Sequence, residues 1–134
     1  KYILNKNPME IEYIKLNFDE AARKGVLEYK NKQGIKFLHF GINENVITEF
    51  PQVGYPDMQM GVLCKGNKYP CAVSAAWLEE REIGIKVQMI GKHLGGLFIT
   101  IGFTKDYNAA GVYMDKNTNC FLAEYSGYAG GRKE

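Results

Sequence analysis

Strict alternation of apolar and polar residues, interrupted at short intervals by glycine and asparagine, limits most tightly what this chain can become. "EIGIKVQMI" (Glu82 to Ile90) sets Ile83, Ile85, Val87 and Met89 on one face and Glu82, Lys86 and Gln88 on the other. "LFITIGF" (Leu97 to Phe103) does the same with Leu97, Ile99, Ile101 and Phe103. A period of two belongs to a strand with one buried face. Between the two lies "GKHLGG" (Gly91 to Gly96), whose lysine, histidine and glycines invite comparison with a phosphate loop. Phosphate loops follow a strand and open a helix, with Ser or Thr after the lysine. Here a second strand follows, and a histidine follows the lysine. The stretch reads as a hairpin connection, with one or both of Gly95 and Gly96 at positive φ.

The same rhythm runs along the chain. "EYIKLNF" (Glu12 to Phe18) turns Ile14, Leu16 and Phe18 inward, and "DEAARKG" is a polar connection, at most one helical turn. "GVLEYKN" and "IKFLHFG" flank "KQG" as a hairpin with Gly34 at its turn, and "NEN" (Asn43 to Asn45) precedes the strand "VITEF". "CAVSAAWL" (Cys71 to Leu78) and "AGVYMD" (Ala110 to Asp115) add two more. Gly66-Asn67 reads as a two-residue turn that pairs Cys64 with Tyr69. "PQVGYPDMQMG" (Pro51 to Gly61) breaks the rhythm and reads as a lid or a crossover. Gly130-Gly131 and the charged end read as a frayed terminus. Strand signals about every ten residues, with no long amphipathic helix, predict an all-β, antiparallel up-and-down barrel of about eight to ten strands. A β-sandwich is the alternative.

A length of 134 residues, 46% hydrophobic and 24% charged, suits one domain with a real core. The formal charge of +2 comes from 17 basic and 15 acidic residues without a basic block, which argues against nucleic acid or an anionic membrane as partner. No apolar run approaches the ~20 residues of a membrane span. "KYILNKNP" at the start carries neither an initiator Met nor a signal-peptide pattern and reads as the inside of a longer polypeptide. Cys64, Cys71 and Cys120 make an odd count, against a disulfide framework and in favour of a reducing, cytoplasmic compartment. With only His39 and His93 beside them, a four-ligand zinc set is not expected, nor any cofactor; buried or half-buried thiols are.

Candidate catalytic groups are sparse. "YKN" (Tyr29 to Asn31) and "HFG" (His39 to Gly41) match the Y-x-N and H-x-G motifs of class C β-lactamase-like serine hydrolases, but S-x-x-K is missing: "SAAW" follows Ser74 and "SGYA" follows Ser126. Short motifs on one hairpin read as coincidence. Glu79, Glu80 and Glu82 around Arg81 read as solvated charges at a hairpin corner. Asp106 and Asp115 read as turn residues. His39, set among Phe37, Leu38 and Phe40, reads as a half-buried, hydrogen-bonded imidazole. Catalysis by this chain alone is not expected. Seven Phe, nine Tyr and one Trp stand out instead. Trp77 alternates with Val73 and Ala75 and is expected to face inward. Trp77, Phe37, Val87, Ile99 and Ile101 are the candidates for the core or for lining an apolar pocket.

"IKFLHFGINENVITEFPQVGY", then "CAVSAAWLEEREIGIKVQMIGKHLGGLFITIGF" and the closing "FLAEYSGYAGG" resemble the C-terminal accessory domain of bacterial β-lactamase-related, penicillin-binding-protein-like serine hydrolases, common in Firmicutes. The likeness runs from Gly34 to Gly131, with "SAAW" and "EYSGYAGG" its most specific parts. It implies that residues 1–134 form a single lipocalin-like domain behind a catalytic domain carrying the serine and lysine. No catalytic residue transfers, since the nucleophile motif lies outside the matched segment. Such a domain acts through contacts with its catalytic domain or between subunits of a homo-oligomer, or by flanking the active-site cleft. The alternative is a free-standing lipocalin-like protein that binds a small apolar ligand.

Overall fold

The computed structural model describes residues 1–51, 69–90, 95–117 and 124–134. Within them lie ten strands and no helix: β1 (Tyr2–Leu4), β2 (Tyr13–Asp19), β3 (Lys24–Asn31), β4 (Gly34–Ile42), β5 (Val46–Glu49), β6 (Pro70–Glu79), β7 (Glu82–Met89), β8 (Gly96–Phe103), β9 (Ala109–Asn117) and β10 (Gly127–Lys133). The order in the sheet is β4-β3-β2-β1-β10-β9-β8-β7-β6-β5. Chain neighbours pair antiparallel, as the alternation predicts, except β4 and β5. The two chain ends meet in the middle of the sheet, where β1 pairs with both β2 and β10.

Closure decides barrel over sandwich. Gly41 and Ile42 of β4 run beside Ser74 and Ala75 of β6, sealing nine strands into a ring. This single junction is parallel, whereas an all-antiparallel barrel was expected. The cause is local. At Asn43, in the left-handed region at φ 58, the chain reverses, and β5 returns antiparallel along Val73 to Pro70 of the same β6 edge. β6 thus shares one edge between the last residues of β4 and all of β5, and β5 stands as a tenth strand beside the ring.

On β7 and β8 the inward faces are those read from the period of two. Ile83, Ile85, Val87 and Met89 of β7 and Leu97, Ile99 and Ile101 of β8 are buried, together with Leu27, Leu38, Phe40, Val73, Val112 and Met114, in one contiguous cluster. Burial of each such side chain contributes about 1.5–3 kcal/mol, so the ring is held mainly by what fills it. Two turns match expectation in detail: Gly34 closes the β3–β4 hairpin at φ 110, and the β2–β3 connection is a tight turn with Arg23 N–H donating to Glu20 O at 3.1 Å.

Two expectations fail here. The C-terminal segment is not frayed: β10 pairs with β9 from Gly127 to Arg132 and with β1 through Gly131, Arg132 and Lys133. Gly131 is buried because a side chain there would meet Ile3 O, so its glycine serves the β1–β10 pairing rather than a loose end. Asp115 is a strand residue of β9 opposite Phe98, not a turn residue. The irregular stretch beyond Pro51, the Gly66-Asn67 turn, Cys64, Cys120, Lys92 and His93 lie outside the described residues.

Candidate functional site

The five aromatic and aliphatic candidates separate into three environments. Val87, Ile99 and Ile101 are at most 1% exposed and are plain core. Phe37 does not line the interior: Leu38 and Phe40 take the inward positions of β4, so Phe37 points out and is 49% exposed. His39 shares that outward face and is exposed, not half-buried as expected. Tyr29 is buried on the inward side of β3. Tyr29 and His39 therefore face opposite sides of one hairpin, and the "YKN" and "HFG" motifs converge on no common point.

Trp77 occupies the inward position of β6 but is 47% exposed. It sits at the end of the ring, where β6 runs past the core and shifts register between Trp77 and Glu79. Phe18, inward on β2, is 41% exposed for the same reason. The two rings lie 6.0 Å apart, and Phe18 rests edge-on against buried Phe40 at 6.2 Å. Across the same end, Tyr2 packs on Phe103 at 5.5 Å and donates its hydroxyl to Tyr107 O at 2.8 Å. The mouth is stoppered by aromatic rings and presents an apolar rim of Trp77 and Phe18, while Leu78 turns to the outer face over Gly84.

The other end is polar inside. Tyr29 and Tyr125 hydroxyls are 2.8 Å apart, the Asn31 side-chain amide donates to Tyr125 at 3.3 Å, and Phe50 meets the Tyr125 ring edge-on at 5.3 Å. Burial raises the Tyr125 phenol well above its ordinary range, so it stays protonated. Among the described residues no buried side-chain polar atom is left without a partner. The Cys71 thiol is pushed up to about 12 by burial alone, which makes it inert rather than nucleophilic. Asp106 is held below the usual carboxylate range first by the Asn108 backbone N–H and then by the Thr104 hydroxyl, the signature of a turn brace.

One feature escaped the sequence reading. On the outside of the ring, Gly102, Gly111 and Gly130 stand side by side on β8, β9 and β10, paired Gly102 to Gly111 and Gly111 to Gly130. They floor an open trough of about 710 Å³, walled by Thr100, Tyr113 and Tyr128 on one side and Thr104 and Arg132 on the other. The signal was present as a glycine at the outward position of "IGF", "AGV" and "AGG", but only register shows that the three coincide. Among the described residues no three His, Cys, Asp or Glu side chains gather as metal ligands, and no helix is long and apolar enough to cross a membrane. No model of a known protein family matches the chain, and no curated protein matches it.

Proposed function

We propose that this chain is a non-catalytic accessory domain of a β-lactamase-related serine hydrolase, docking its partner domain through the aromatic mouth of the barrel. The resemblance in "SAAW" and "EYSGYAGG" suggests the partner's class. The observation that carries the docking mode is Trp77: an inward position whose ring is nearly half exposed, braced by Phe18. Half-exposed Trp on a rigid apolar rim is the residue type that anchors interfaces. The chain itself carries no part of the hydrolysis in this reading. The alternative, a lipocalin-like binder of a small apolar molecule, has less support, because Leu27, Val73, Ile85, Ile99 and Val112 occupy the middle of the ring.

The test is titration of this domain into the S-x-x-K catalytic domain encoded in the same reading frame, followed by calorimetry. Wild type should bind, and Trp77→Ser should weaken binding roughly tenfold or more, as loss of an anchor does. A reading frame without such a domain, or binding indifferent to Trp77, would overturn the proposal.

A further inference from the structure

We propose that the outer face of β8, β9 and β10 is a self-association surface that takes a second copy of this chain, face to face. The register places Glu82, Gly102, Gly111 and Gly130 in one outward row across β7 to β10, and the Asn5 N–H, just past β1, donates to Gly130 O at 2.8 Å at the end of the row. The next outward row is Thr100, Tyr113 and Tyr128; the row on the other side holds Ala109 and Arg132. Tyr128 leans over the glycines: a Cβ on Gly111 would lie 2.6 Å from its hydroxyl. Gly102 is open, since a Cβ there meets nothing nearer than Arg81 O at 4.0 Å. The face therefore combines two broadly exposed tyrosines, at 50% and 62%, with one open stretch of backbone at Gly102, while Tyr128 itself covers Gly111.

Charge placement selects the occupant. Arg132 stands at one corner of the trough and Glu82 at the far side, and among the described residues neither joins an ion pair. Opposite signs on opposite sides suit an isologous pair. A two-fold axis running along the strands between β8 and β9 exchanges β7 with β10 and β8 with β9. It sets the open Gly102 over the second copy's Gly111, where that copy's Tyr128 hydroxyl lies, and Glu82 over the second copy's Gly130. Glu82 is then one same-face step, about 7 Å along the strand, from the second copy's Arg132. The two long side chains span that gap, and symmetry makes the pair twice. A patch four strands wide is about 14 Å across between its outer strands, which predicts a weak, concentration-dependent dimer.

Sedimentation equilibrium of the 134-residue chain, between about 10 and 500 µM, covers the range in which so small an interface associates. Wild type should move toward dimer mass across that range. Arg132→Glu alone and Glu82→Arg alone should each weaken association about tenfold or more, and their equimolar mixture should restore it, because both pairs re-form in the heterodimer. Gly102→Gln adds a side chain where there is room, so it should fold, fill the trough and remain monomeric. Wild type that stays monomeric throughout, single variants that associate like wild type, a mixture that stays monomeric, or a dimeric Gly102→Gln would each overturn the assignment.

Discussion

Tyr29 on β3 and Tyr125 just ahead of β10, 96 residues apart in the chain, share a hydrogen bond of 2.8 Å in the barrel interior, with their rings edge to face at 6.0 Å. Such a bond is worth little net while both partners are present, and its loss is expensive where water cannot replace it. Tyr125→Phe removes a hydrogen-bond partner of Tyr29 and of Asn31 and should cost about 1–3 kcal/mol in urea denaturation. Tyr29→Phe should cost less, and the double variant less than the sum of the singles. Additive losses would show that the two hydroxyls act independently. Because burial holds the folded phenol of Tyr125 above its unfolded value of 10.0, its contribution is intact below pH 10 and declines as pH rises beyond it.

Cys71 makes a second pH prediction. Its folded pKa of about 12 exceeds the unfolded value of 9.0 because burial penalises the thiolate. A raised folded pKa means full stability below pH 9 and a progressive loss from pH 9 toward pH 12. In native protein at pH 8, thiol labelling followed by peptide mapping should leave Cys71 unmodified until denaturant is added. Rapid native labelling of Cys71 would contradict its burial.

Trp77 should cost less to remove than a core residue. Full truncation of a buried Trp costs about 3–5 kcal/mol, and with half of the ring in water Trp77→Ala should cost roughly 1.5–2.5 kcal/mol on the same scale. Ile85→Ala, at a fully buried site, should cost about 2–5 kcal/mol. The fluorescence of the lone Trp should be intermediate between buried and solvent-like, and accessible to iodide. A fully blue-shifted, unquenchable emission would place it deeper than the structure does.

Gly95 and Gly96 are glycines for different reasons, and single substitutions should separate them. Gly95 sits at φ 71, so Gly95→Ala incurs left-handed strain of about 1–2 kcal/mol. Gly96 lies inside β8, and a Cβ there would meet Val87 O of β7, so Gly96→Ala must part the β7–β8 ladder. Its loss should be the larger, read as a lower melting temperature. Equal effects would mean that the strands separate without penalty.

Reporter esters and β-lactams provide the catalytic test. His39 is exposed on the outward face and Tyr29 is buried on the inward one, so the isolated chain should turn over neither substrate class, and His39→Ala should change nothing. Turnover abolished by His39→Ala would revive the "YKN" and "HFG" motifs as a site.

Strand faces were legible because burial follows a period of two. Once one residue of β7 or β8 is known to face in, the parity of Ile83 to Met89 and of Leu97 to Phe103 follows. On β4 the parity was misassigned: Phe37 was expected to line the interior and His39 to be half-buried, whereas Leu38 and Phe40 take the inward positions and leave Phe37 and His39 facing out. Parity has no information about depth. Trp77 and Phe18 are inward by parity yet lie at the rim, because the position of a ring along the barrel axis depends on strand tilt and on where neighbouring strands end. The C-terminal glycines misled for a related reason: local composition suggested a loose end, whereas pairing with β1 and β9 orders Gly127 to Lys133.

Local alternation and turn chemistry by themselves determined that the chain is all-β, that Gly34 turns the β3–β4 hairpin and which faces of β7 and β8 meet in the core, since each depends on residues within a few positions of one another. Only the tertiary structure decided closure, because the parallel contact of Gly41 and Ile42 with Ser74 and Ala75 joins segments more than thirty residues apart. It likewise decided that Gly102, Gly111 and Gly130 form one trough and that Tyr29 meets Tyr125. Contacts between distant segments depend on cross-strand register, and register is set by the whole ring closing on its packed interior, not by any one stretch of residues.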